Sequence, residues 1–415
     1  MTEYFDDLET RSDDERNSQL MAGLAGQIAF ARDKAPYFKN LFADVDAQSI
    51  SSREALATLP LTRKSDLIER QKENRPFGGL AAMTTGSLSR IFQSPGPIYE
   101  PQGRTEDFFR TARALFAAGF RSGDLVHNTF AYHLTPGGFI MDSGARALGC
   151  AVIPAGVGNT EQQLDVIGDL RPIAYAGTPS FLKILLEKAE QAGADASCFK
   201  KAMVSGEYFP PPLRDEWAKR GLKAYQSYAT ADLGLISYES EACEGMIVDE
   251  GVIVEIVRPG TGDPMPEGEV GEVVVTLFSK EYPLVRFATG DLSAVMSGKS
   301  PCGRTNMRLK GWMGRADQTA KVKGMFVHPE QIAEITKRHA EITRVRLVVE
   351  VVDGRDAMTL NCEVGEQGDA LRSAIADTVQ AVCKLKGIVA FVDQGYLPND
   401  GVVIDDQRSY DRTRI

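Results

Sequence analysis

Between residues 106 and 235 the chain alternates helix-like and strand-like segments, and this alternation constrains its fold more than any other feature. TEDFFRTARALFAAGF has a helical pattern, DLVHNTFAY an extended one and GGFIMDSGARALG a helical one. CAVIPAG reads as a buried strand, TEQQLDVIGDL as a helix, IAYAG as a strand and PSFLKILLEKAEQAG as a helix. KKAMVSG, PPPLRDEWAKRG and LKAYQSYA continue as strand, helix, strand. Such alternation makes a parallel sheet covered on both faces. Upstream, apolar residues Leu20, Met21, Leu24, Ile28 and Ala31 recur at three- and four-residue steps, which predicts one long helix over 14–45.

The period changes after about residue 246. GVIVEIV, GEVVVTLF and LSAVM are short strands separated by PGTGDP and PEGEVG, the pattern of a small antiparallel unit. From about 316 the order is helix, strand, strand, helix, strand. The expected fold class is α/β: a large N-terminal domain, 1–315, with mixed or parallel sheets covered by helices and a small β-rich subdomain. A small α+β C-terminal domain, 316–415, follows on a hinge.

Composition narrows the function. A formal charge of −10 repels phosphate backbones, so no nucleic-acid partner is expected. No run approaches the roughly 18 apolar residues of a membrane span, and the acidic start MTEYFDDLETRSDDER does not read as a signal peptide. The six cysteines form no CxxC pair, which argues for buried, reduced thiols and a cytoplasmic location.

Ligands of open parallel sheets bind beyond the carboxyl ends of the strands. Three such ends carry polar groups: Ser205-Gly206-Glu207, Tyr228 to Asp232, and Arg286 to Asp291. A carboxylate after Thr-Gly, as in Thr289-Gly290-Asp291, suits a ribose diol, although TGD also serves as a plain turn. Gly311 to Pro329, GWMGRADQTAKVKGMFVHP, is a charged, Gly-containing join where a small lobe could rotate.

Taken together and in order, these segments resemble the phenylacetate–CoA ligase branch of the adenylate-forming (AMP-binding) enzymes. The resemblance runs nearly end to end, through LATLPLTRKSDL, PFGGL, GARALGCAVIPAGVGNTEQQ, AGTPSFL, YPLVRFATGDL and GRADQTAKVKGMFVHPEQIAEI. It implies ATP-dependent activation of a carboxylic acid as acyl-AMP, with Mg²⁺, followed by transfer to CoA. It also implies roles by position. Asp291 would hold the ribose and Arg315 the ribose or phosphate. Ser205, Gly206 and Glu207 would border adenine, and Tyr228 would stack near it. Asp232 would stand at the Mg²⁺-associated carboxylate and Asp317 at the hinge. Phe130, Tyr132 and His133 would line the acyl pocket, and Ser94 and Gly96 would belong to the phosphate loop. Relatives are commonly dimers, so a homodimer is implied.

Two places depart from the pattern. The phosphate loop of relatives, a Ser/Thr/Gly-rich run ending in Lys-Pro, falls on SPGPIYEP, Ser94 to Pro101. Pro95 and Pro97 have no N–H to donate, and Glu100 stands where the Lys would face a triphosphate. Near the C-terminus Gly401 is followed by Val402 rather than the catalytic Lys of relatives, with Arg408, Arg412 and Arg414 the nearby cations. Besides a ligase, these losses leave two readings open: a transferase or thioesterase using preformed acyl-adenylate or acyl-CoA, and a non-catalytic binder of nucleotide or acyl-CoA.

Overall fold

The computed structural model describes residues 3–408 except 260, 324, 353–354, 366 and 399–401. Gly324, Gly401, Arg412 and Arg414 lie outside the described residues. The chain divides into two compact units: residues 1–289 with 293–312, and residues 290–292 with 313–415.

The larger unit is built on a nine-stranded sheet. In space its strands run 295–296, 308–309, 246–248, 234–238, 223–230, 201–204, 174–177, 125–128 and 151–154. From 223–230 to 151–154 all neighbours pair in parallel, as the strand–helix alternation requires. The strand Leu125–Asn128 connects onward to Ala151–Pro154 on one side, whereas Ala174–Gly177 and its successors step away on the other. The order therefore reverses between 125–128 and 174–177, and crevices for ligands open at such reversals. A second, four-stranded sheet joins Thr62–Arg63, Phe287–Ser293, Gly271–Leu277 and Val252–Val257 in that order. Its apolar residues Val254, Val273 and Val275 share one core with Leu24 and Ile28 of the first long helix.

The α/β expectation holds, with three local differences. The N-terminal helix is two helices, Asp13–Lys34 and Pro36–Leu41, because Ala35 is extended, as residues before proline tend to be. Ser12 and Glu15 form a capping box at its start. The helix expected over 105–120 shrinks to Ala112–Ala117, since the Asp107 carboxylate accepts the Thr111 and Ala112 N–H groups and holds the preceding residues in a turn. The strand Ala151–Pro154 is half-exposed rather than buried, because it is the last strand of its sheet and has one neighbour.

The acidic N-terminal segment lies at the surface and is pinned there through the buried Glu9. Glu9 is 1% exposed, and its carboxylate takes Arg304 Nε at 3.0 Å, Arg113 Nη1 at 3.4 Å and the Tyr238 hydroxyl at 2.9 Å. Asp6 accepts two hydrogen bonds from Arg113, both at 2.8 Å. Buried charges persist only when paired in this way.

The smaller unit carries a four-stranded sheet in the order 388–392, 355–364, 342–352, 404–406, with helices Pro329–Arg338 and Asp369–Cys383 contributing to its core. Arg408 pairs with Asp356 at 2.9 Å and Asp406 at 2.6 Å. No described helix is long and apolar enough to cross a membrane.

Candidate active site

A cavity of about 590 Å³ opens at the strand-order reversal. Its walls are strand ends, the loops beyond them and the first turns of the helices Gly137–Ala147 and Pro179–Ala192. Thr129 and Phe130 follow Leu125–Asn128, Thr178 follows Ala174–Gly177, and Ser205-Gly206-Glu207 follows Lys201–Val204. Ala229 to Ala231 close Lys223–Thr230, and Ser94 and Pro95 end Arg90–Ser94. Its apolar part includes Phe130, Ile140, Met141, Val157 and Phe181. A concave, mostly apolar space with a few convergent polar groups is the usual form of a small-molecule site.

Ser205 is locked, its N–H on Gly177 O at 3.2 Å and its hydroxyl donating to Ser227 O at 2.6 Å. Gly206 has φ +81°, a conformation that side chains disfavour, and this turns the chain back at the cavity rim. Glu207 is exposed there and accepts from Ser180 N at 3.3 Å. The Phe130 side chain lies beside both Gly206 and Gly137, where a Cβ added to either glycine would meet it at ordinary contact distance. Tyr132 and His133 lie outside the cavity lining: Tyr132 accepts from Asn128 Nδ2 at 2.8 Å and packs edge-on to Phe139, and His133 is exposed. Tyr228 is half-buried, and its hydroxyl donates to Thr289 Oγ1 at 3.2 Å.

Asp232 sits in the turn between Lys223–Thr230 and Gly234–Tyr238. It is buried, its Oδ2 takes Lys64 Nζ at 2.7 Å, and its Oδ1 has no partner. Lys64 follows the short strand Thr62–Arg63, which is placed by parallel pairing with Phe287 and Ala288. Sequence reasoning missed this lysine, although it lies inside the quoted LATLPLTRKSDL. Its only signal was membership of that segment, because the residue it meets is 168 positions away.

Glu100 does not face outward as an end-of-loop lysine would. It is fully buried, and its carboxyl accepts from Ser94 N–H at 3.2 Å and is bonded to the Ser94 hydroxyl. Burial first, then the charge of Asp232, pushes its pKa up to about 8. The folded protein therefore holds a proton there that the unfolded chain gives up near the ordinary carboxylate pKa. That contribution to stability is complete below about pH 4.5 and is lost as pH rises through about 8. Within that window the loss is at most about 1.4 kcal/mol per pH unit. Glu100→Gln, which cannot ionise, is expected to flatten the alkaline fall in melting temperature between pH 6 and 9. An unchanged slope would contradict the assignment.

In the smaller unit Asp291 Oδ1 accepts from Arg315 Nη1 at 3.0 Å, and the two residues also form a backbone bridge. Gly290, at φ +77°, makes room for this pair: a Cβ there would lie 2.6 Å from Arg315 Nη2. Asp317 is in the short helix Ala316–Gln318. Arg286 belongs to the scaffold, buried against Glu255 at 3.0 Å.

Among the described residues no three or more His, Cys, Asp or Glu side chains group as a metal cage. Asp232 Oδ1, buried and without a hydrogen-bond partner, is the carboxylate oxygen that would meet a Mg²⁺ arriving on phosphates, since Mg²⁺ commonly takes one or two carboxylates plus substrate oxygens. Cys302 Sγ meets Ser300 Oγ at 3.1 Å and Arg304 Nη1 at 3.6 Å, and Cys243 Sγ meets Arg214 Nη1 at 3.1 Å.

Residues 109–277 match the family model described as AMP-binding enzyme. The chain is 30% identical over 381 residues to a phenylacetate-coenzyme A ligase of Thermus thermophilus, covering 88% of this chain and 84% of that protein. It is 32% identical over 348 residues to a phenylacetate-coenzyme A ligase of Pseudomonas putida, covering 79% and 77%. A solved structure of 2-hydroxyisobutyryl-CoA ligase, in an open conformation with 2-HIB-AMP and CoA, shares the fold with a TM-score of 0.83 at 22% identity, over 96% of this chain and 93% of that one. The chain thus belongs to the phenylacetate–CoA ligase branch of the adenylate-forming AMP-binding enzymes.

Proposed function

We propose that the protein is an AMP-forming acid–thiol ligase that activates a carboxylic acid as an acyl-adenylate and passes the acyl group to CoA. The observation that carries this reading is the cavity itself. It brings Ser205-Gly206-Glu207, Ser94 and Ala229 to Ala231, next to Asp232, around one apolar space at the strand-order reversal. An apolar acid occupies the part formed by Phe130, Ile140, Met141 and Phe181. Ser205, Gly206 and Glu207 border adenine, with Tyr228 stacked nearby. Asp291 takes the ribose hydroxyls, Arg315 the ribose or α-phosphate, and Asp317 acts as the pivot of the smaller unit. Ser94 and Gly96 meet phosphate. Asp232 would hold Mg²⁺, which would supply charge neutralisation on the phosphates. The enzyme works in the cytoplasm, on small molecules, as a homodimer.

The altered loop changes how phosphate is met rather than whether it is met. Backbone donors are fewer at Pro95 and Pro97, whereas Lys64 brings a cation to Asp232 from a different part of the chain. Incubation with ATP, Mg²⁺, CoA and a panel of aromatic and aliphatic acids is expected to release AMP and a thioester together for at least one acid. AMP-free consumption of a thioester would favour a transferase or thioesterase instead.

Phe130→Ala is expected to widen the acid end and shift kcat/KM toward bulkier acids by about tenfold relative to the best wild-type acid. An unchanged rank order across the panel would remove Phe130 from the acyl pocket.

A further inference from the structure

The hairpin that replaces the phosphate loop has a built-in hydroxyl donor. Arg90–Ser94 pairs antiparallel with Ile98–Gln102, Phe92 lying opposite Glu100 and Ser94 opposite Ile98. Residues 92 and 94 share one face of their strand, so Glu100 is the diagonal neighbour of Ser94 on that face. Pro95, Gly96 and Pro97 close the turn, with Gly96 at φ +149°. Both Glu100 oxygens are used on Ser94, one on its N–H and one on its hydroxyl. Glu100 is 0% exposed, whereas Ser94 lines the cavity.

We propose that Glu100 is a positioning residue that holds the Ser94 hydroxyl in one orientation, aimed to donate its hydrogen to a phosphate oxygen of the nucleotide. The inference rests on the ligase reading. A neutral carboxyl can donate its own hydrogen to Ser94 Oγ while accepting the Ser94 N–H, which leaves the serine hydrogen for the cavity. The rise of the Glu100 pKa to about 8 agrees with that arrangement at neutral pH. A loop with two prolines has lost backbone donors, and one fixed hydroxyl recovers part of what they supplied. Neutral glutamate here does what the charge of lysine does elsewhere by a different route: it orders a donor instead of adding a cation.

Calorimetric titration of ATP with Mg²⁺ tests this on the wild type, S94A, E100A, E100Q and the S94A/E100A double variant. Ser94→Ala and Glu100→Ala are each expected to weaken ATP about tenfold, the effect of one hydrogen bond to a charged oxygen. The double variant should be no weaker than either single one, because both remove the same bond. Glu100→Gln should restore most of the affinity, since its amide donates to Ser94 Oγ and its carbonyl accepts the N–H. Additive losses, or an E100Q as weak as E100A, would overturn the proposal with the ligase reading intact. If E100A does not fold, S94A decides alone, and undiminished ATP affinity in it overturns the proposal. A wild type that binds AMP but not ATP would overturn both the proposal and the ligase reading.

Discussion

Glu9→Ala is expected to destabilise the protein by about 3–5 kcal/mol, the cost of leaving the buried Arg304 guanidinium without its nearest counter-ion. Arg304 is 1% exposed and cannot turn to water once the carboxylate is gone, whereas Arg113 keeps Asp6. The Tyr238 hydroxyl, buried in the same cluster, loses its acceptor as well. By contrast Glu69, in an exposed pair with Lys72 at 2.6 Å, should cost less than about 1 kcal/mol on the same change. Urea unfolding of the two variants side by side makes the comparison. Equal, small shifts in midpoint would mean that the N-terminal segment is not anchored by Glu9.

Asp232→Asn is expected to lower the rate of AMP formation about a hundredfold and to raise the Mg²⁺ concentration needed for half-maximal rate. Two effects combine. The amide is a poor ligand for a hard cation, and the Lys64 ammonium, 2.7 Å from Oδ2, loses its counter-charge. Lys64→Met separates them, because it leaves the carboxylate for the metal and removes only the ammonium. A D232N enzyme with an unaltered Mg²⁺ requirement would exclude Asp232 as the residue that meets the metal.

Much of this architecture was legible in the chain. Short apolar runs bounded by glycine, such as IAYAG and KKAMVSG, can satisfy their backbones only as paired strands, and alternation with helices makes the pairing parallel. The loop Ser205-Gly206-Glu207 was legible as a strand end facing a ligand, whereas Phe130 was placed there only by the family resemblance. The Thr-Gly-Asp and Gly-Arg segments likewise come together as the Asp291–Arg315 pair. What was not legible depends on side-chain direction. Tyr132 and His133 come two and three residues after Phe130, yet of the three only Phe130 lines the cavity; Tyr132 packs tightly against Gly138 and His133 is exposed. Glu100 read as a charge opposing phosphate, whereas the hairpin register folds it inward on to Ser94. Lys64 could not be connected to Asp232 from local pattern at all, because their meeting depends on how two sheets assemble.

The central claim is adenylation of an acid despite the altered loop. Acid-dependent exchange of labelled pyrophosphate into ATP tests that half-reaction directly, without CoA. Exchange that appears only when a carboxylic acid from the panel is present, and that falls about a hundredfold in D232N, is the predicted result. No exchange with any acid, from a protein that still binds AMP, would contradict the account.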